Sequence, residues 1–131
     1  MTLSIQASYL PADDLEASLS FYRDILGFEV RAQGPRQATV GPPGQPETSL
    51  VLHPPAADPE ITDEERATIA ELMAKGVHGI IVLSTPDLIA TFDRIQAAGV
   101  DVVQEPMKQS YGAFDCSFRD PAGNLVRFEE R

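Results

Sequence analysis

The sequence predicts an α+β fold of two tandem βαβββ modules, on the strength of three observations. The phrase Asp14-Leu15-Glu16-Ala17-Ser18 returns as Asp87-Leu88-Ile89-Ala90-Thr91, and each copy runs through amphipathic sequence to a glycine, Gly27 or Gly99. The copies are 73 residues apart at the aspartates and 72 at the glycines, so they stay in phase through the predicted helix. Around each copy, apolar and polar residues alternate with the period of a half-buried strand, and Gly-Pro clusters punctuate the alternation. A half of about 60 residues is marginal alone, so each copy is expected to need a partner for its apolar surface.

In the first module, Leu3, Ile5, Ala7 and Tyr9 alternate with polar neighbours, which predicts a strand ending near Pro11. Asp13 or Asp14 then caps a helix, and Glu16 stands three residues after Asp13 as in a capping box. Leu15, Leu19, Tyr22, Ile25 and Leu26 form its apolar stripe, and Gly27 ends it. Phe28 to Gln33, Gln37 to Val40 and Thr48 to His53 read as short strands separated by Gly34-Pro35 and Gly41-Pro42-Pro43-Gly44. A proline-rich linker follows from Pro54 to Pro59. Thr62 and Glu65 then make a capping box for a connecting helix that stops at Lys75-Gly76.

The second module opens with an apolar strand from Val77 to Leu83, followed by Thr85 as N-cap and Pro86 at the first helical position. Leu88, Phe92 and Ile95 share a helix face before Gly99. Strands are expected at Asp101 to Gln104, Phe114 to Phe118 and Leu125 to Glu129, with the turn Asp120-Pro121-Ala122-Gly123-Asn124 between the last two. The modules are thus residues 1–53 and 77–131, joined by the linker and helix of 54–76 within one domain.

Composition excludes several function classes. A net charge of −10, with no long run of Lys or Arg, argues against a nucleic-acid or anionic-membrane partner. No apolar run approaches the roughly 20 residues of a membrane helix, and the N-terminal stretch does not read as a signal peptide. A cytoplasmic location is expected. Cys116, the only cysteine, cannot form an intramolecular disulfide or a multi-cysteine zinc site. It alternates with Phe114 and Phe118 and reads as a small buried hydrophobe. There is no nucleophile elbow and no phosphate-cradling loop.

The two βαβββ units, the phrase Asp14 to Tyr22 running on to Leu26-Gly27-Phe28, and the closing Asp120-Pro121-Ala122-Gly123-Asn124-Leu125 resemble the vicinal oxygen chelate superfamily. That superfamily holds the glyoxalases, bleomycin-resistance proteins and extradiol dioxygenases. The resemblance covers nearly the whole chain and implies a cupped mixed sheet with helices outside and a ligand in the concavity, often in a homodimer. Because such folds host metal lyases, epimerases, oxygenases and drug-binding proteins, function must be argued from the site.

The metal enzymes of the family carry four His, Glu or Gln ligands on the first and last strands of each unit. Carried onto this chain, those positions fall on Ala7, Ile80, Arg127 and, within one or two residues, Val51. The alanine, isoleucine and arginine offer no lone pair to a divalent cation, and Arg127 repels one. A bulge bringing Gln6 inward, with His53 or His78 and Glu129, leaves a shifted iron, nickel, zinc or manganese site as the alternative.

The reading is therefore a protein without a cofactor that binds a small organic ligand, partly aromatic or cationic and an antibiotic among the candidates, as a homodimer. Tyr9, Ile80, Val82 and Phe114 are the expected walls, with His53, Tyr111 and Arg127 as anchors. Arg127 either grips a ligand carboxylate or phosphate or pairs internally with Asp115 or Glu129; the internal pair is expected, since acids outnumber bases two to one (20 to 10). Enzymatic function stays open, with a metal-dependent lyase, isomerase or dioxygenase as the alternative, and an interaction module with a filled cup as a third reading.

Overall fold

All 131 residues are described by a computed structural model, in which the chain divides into two compact units, Met1–Glu71 and Leu72–Arg131. Each unit contains a mixed four-stranded sheet. The fold is α+β, and both sheets repeat one topology, as the duplicated sequence predicts.

In the first unit, β1 (Ala7–Pro11) lies parallel to β4 (Ser49–His53), which pairs antiparallel with β3 (Ala38–Gly41), itself antiparallel to β2 (Glu29–Gln33). The strand order is β1-β4-β3-β2. The first strand starts later than its alternation suggests, because β4 begins only at Ser49 and offers no ladder to Leu3 and Ile5. The last ties on that side run from the Ser49 amide to the Gln6 carbonyl at 2.8 Å and from Thr48 Oγ1 to the Ile5 carbonyl at 3.0 Å.

Helix α1 (Leu15–Leu19) opens on Asp14, whose backbone is extended and whose side-chain oxygen accepts the Ala17 amide at 3.2 Å. It then widens into a π-helical turn over Ser20–Ile25, closed by the bond from the Leu26 amide to the Phe21 carbonyl at 3.0 Å. The wider turn buries Phe21 beside Tyr22, with ring centroids 4.8 Å apart, in addition to the predicted Leu19. Gly27, at φ +78°, ends the segment. Further on, Thr62 and Glu65 form the expected reciprocal capping box at the start of α2 (Asp63–Lys75), with bonds of 2.9 and 3.1 Å.

In the second unit the order is β5-β8-β7-β6, with β5 (Ile80–Thr85) parallel to β8 (Leu125–Glu130) and the neighbours β7 (Phe114–Arg119) and β6 (Val102–Lys108) antiparallel. Helix α3 (Leu88–Ala97) is capped by Asp87, not Thr85. The Asp87 carboxylate accepts the Ala90 amide at 3.1 Å, whereas Thr85 is still in β5 and its hydroxyl meets Thr91 Oγ1 at 2.7 Å. Leu88, Phe92 and Ile95 are buried as predicted. Phe118 stands 5.3 Å from Phe92 and 6.0 Å from Phe128, so helix and sheet share an aromatic core.

Candidate functional site

Pairing registers sort each sheet into a helix-side face and an open face, because residues directly opposite each other project to the same side. In the first unit, Leu10, Leu50, Leu52, Ala38 and Val40 are buried on one face. Ala7, Tyr9, Ser49, Val51 and His53 stand on the other. Tyr9 is 63% exposed, and its ring meets His53 edge-on at 5.2 Å.

Arg31 fixes the edge of this face. One guanidinium nitrogen reaches the Thr48 carbonyl at 2.6 Å and Ser49 Oγ at 2.9 Å, and the other reaches the carbonyls of Pro42 and Gln45, both at 2.9 Å. Gly41 makes room for it, since a Cβ there would stand 2.6 Å from the guanidinium. The sequence gives no local signal for this latch, which joins residues 11 to 18 positions apart.

In the second unit, Ile80 stands opposite Leu125, and Val82 opposite Arg127, which also faces Ser117; Asp115 lies opposite Glu129 and Met107, and Gln104 opposite Ser117. All share the open face, where Ile80 and Val82 are about half exposed (54% and 50%). The predicted walls Ile80 and Val82 and the predicted anchor Arg127 are thus brought together. Phe114 is not, because the alternation that buries Cys116 and Phe118 turns Phe114 to the same helix-side face. Burial pushes the Cys116 thiol up to about 11, with the Asp115 charge adding to it, as befits a small hydrophobe rather than a nucleophile.

A polar cluster occupies the middle of this face. Asp115 is wholly buried and accepts hydrogen bonds at 2.8 Å from both Gln104 Nε2 and Gln109 Nε2, while the Tyr111 hydroxyl lies 3.5 Å away. Burial opposes its ionisation, but the two amide donors, the nearby Arg127 charge and the Tyr111 hydroxyl together outweigh burial and hold its pKa below the ordinary carboxylate value. Gln104 and Gln109 escape sequence reasoning, because two register shifts in β6 decide where they point.

The internal pair expected for Arg127 is not formed. Glutamine amides occupy Asp115, Glu129 lies 3.6 Å from Arg131, and the buried Nε of Arg127 has no hydrogen-bond partner. Tyr111 is 70% exposed at the rim, in a turn closed by the Gly112 amide on the Gln109 carbonyl at 3.0 Å.

Of the positions that the resemblance matches to metal ligands, Ala7 stands on the open face of the first sheet and Ile80 and Arg127 on that of the second, with the fourth within two residues of Val51 on β4. Two hydrocarbon side chains and a guanidinium do not fit a divalent cation. His78 is exposed, His53 packs against Tyr9, and no three His, Cys, Asp or Glu side chains gather in a cluster that could hold an ion.

A sequence model of the glyoxalase/bleomycin resistance protein/dioxygenase superfamily matches residues 4–128. The chain belongs to this superfamily. Among solved structures of the superfamily fold, that of UcmS2 is 36% identical over the full length of both chains, with a TM-score of 0.85. TnmS3, an antibiotic binding protein from Streptomyces sp. CB03234, is 28% identical with a TM-score of 0.75, over 99% of this chain and 98% of its own. The uncharacterized protein YetH of Bacillus subtilis (strain 168) is 27% identical over 126 residues, 90% of each chain. No helix is long and apolar enough to cross a membrane.

Proposed function

We propose that this superfamily member is a binding protein, without a metal or other cofactor, that holds a small organic molecule, an antibiotic in the first instance, against its open sheet faces. The observation that carries the reading is the chemistry at three of the four ligand positions: Ala7, Ile80 and Arg127 stand on open faces but donate nothing to an ion. The first unit's face offers Tyr9 with His53, and the second unit's face offers Ile80 and Val82 with Tyr111 and Arg127, each an apolar surface with polar contacts of the kind ligand sites use. The likeness to TnmS3, described as antibiotic binding, supports the ligand class.

In this reading the protein is a cytoplasmic homodimer, with Ile80 and Val82, neighbours on one face of β5 and about half exposed, as apolar surface for a second copy to cover. Calorimetry and thermal shift against bleomycin-like glycopeptides and polycyclic aromatic metabolites test binding, with micromolar affinity expected for at least one class. Silence across the panel overturns the reading. Metal analysis of the purified protein tests the rest: stoichiometric iron, nickel, zinc or manganese, lost in His53→Ala or His78→Ala, would establish a metal-dependent enzyme instead.

A further inference from the structure

We infer that Arg127 is the specificity-determining anchor of the second sheet's open face, and that the ligand is an aromatic molecule bearing an ionised oxygen, a carboxylate, phenolate or enolate. The inference rests on the binding function proposed above and names the chemistry of its ligand.

Three observations lead there. First, Arg127 occupies β8 between Val82 and Ser117, and its Nε is buried without an acceptor. Buried donors are almost always satisfied, so an unpaired Nε marks a guanidinium with no internal acceptor there, and on this half-buried arginine the outer nitrogens are the donors an acceptor from outside would meet. Second, the acids that would normally quench it are engaged: Asp115 by Gln104 and Gln109, and Glu129 by Arg131. Gln109 Nε2 also lies 3.3 Å from Gln104 Oε1, so the two amides brace each other. The Asp115 charge acts on Arg127 through space rather than by contact, which balances the guanidinium without occupying its forked donors.

Third, the surface on the β5 side of Arg127 is apolar. Ile80 and Leu125 form one register pair beside Arg127, and Val82 is its direct neighbour. An aromatic body laid on these side chains brings a ring substituent to the guanidinium, whose planar fork matches a carboxylate or enolate edge. Tyr111, exposed and within reach of Asp115, supplies an aromatic surface on the same side.

The test uses 2-naphthoate and its near-isostere 2-naphthamide as probes, titrated into the full chain with backbone amides and arginine Nε–Hε groups followed by NMR. Naphthoate is expected to bind about tenfold more tightly than the amide, as a charge-assisted hydrogen bond implies. It should also shift one Nε–Hε resonance, that missing from R127Q. The preference should vanish in R127Q and return in part in R127K, which keeps charge without the fork. Should R127Q fail to fold, R127K and the wild-type pair of titrations decide. Equal affinity for both probes, or a preference that survives R127Q, overturns the anchor while leaving the binding function in place. If neither probe perturbs the amides of Ile80, Val82 and Leu125, the anchor falls, and silence in the calorimetric panel as well is what would take the binding function with it.

Discussion

Burial, with the Asp115 charge adding to it, sets the behaviour of Cys116: its thiol is pushed up to about 11. Iodoacetamide at pH 8 should leave the folded protein unmodified for hours and alkylate it within minutes in urea, as intact mass would show. Rapid labelling without urea would mean that β7 opens. Asp115 carries the opposite shift, below the ordinary 3.8. Since its folded-state pKa lies under the unfolded one, ionisation favours the fold above about pH 4, and this contribution fades as pH falls through the folded value. Asp115→Asn should therefore lower Tm at pH 7, and the gap from wild type should narrow toward pH 3. A gap that stays constant across that range would show that charge is not what Asp115 contributes. At this scale the sequence is readable where alternation is regular. Val126 and Phe128 face the helix and Arg127 the open side, as period two requires. The same rule places Phe114 with Cys116, so its expected position among the walls fails on the alternation that correctly buried the thiol. The Gln104 and Gln109 contacts lie beyond such rules, because bulges in β6 break the period before it reaches them.

Helix termini carry the duplication in its plainest form. Asp14 and Asp87 adopt nearly the same extended backbone, φ −128° ψ 95° and φ −139° ψ 94°, and each accepts the amide three residues on. The copies of the recurring phrase are thus copies of one capping device, and the offset between Asp14 and Asp87 is structural as well as textual. Asp14→Ala and Asp87→Ala should each cost about 1 kcal/mol in urea unfolding. A loss under 0.3 kcal/mol at either site would mean that water replaces the cap fully. The glycines that end the two segments, Gly27 at φ +78° and Gly99 at +84°, have no atom near the space of an added Cβ, so an alanine there is opposed by backbone strain alone. Capping chemistry is local and therefore legible from sequence. The π-helical turn over Ser20–Ile25 is not, because its register depends on how Phe21 and Tyr22 pack after the chain has folded. The expected Thr85 cap fails for a related reason: β5 continues through Thr85 against Glu130, and the helix can begin only beyond it.

At the scale of the whole molecule, both units repeat one strand order and pack a helix against their sheet, and the opposite faces carry exposed apolar side chains such as Tyr9, Ile80 and Val82. The proposed homodimer covers part of that surface, and electrostatics gives it a signature. Each chain carries a net charge of −10, so two copies repel, and salt screens that repulsion with a Debye length of about 10 Å at 0.1 M. Apolar burial, by contrast, is not weakened by moderate salt. Association should therefore tighten as sodium chloride rises from 20 to 500 mM, the reverse of an interface held by ion pairs. Light scattering behind size exclusion at micromolar concentration should show the mass rising toward twice 14.2 kDa over that range. Val82→Asp, which adds a further negative charge to an open apolar face, should hold the protein at the monomer mass in low salt and be only partly rescued in high salt. A monomer mass at every salt concentration removes the dimer. A dimer that dissociates as salt increases keeps the assembly but assigns it to charged contacts rather than to the apolar sheet faces.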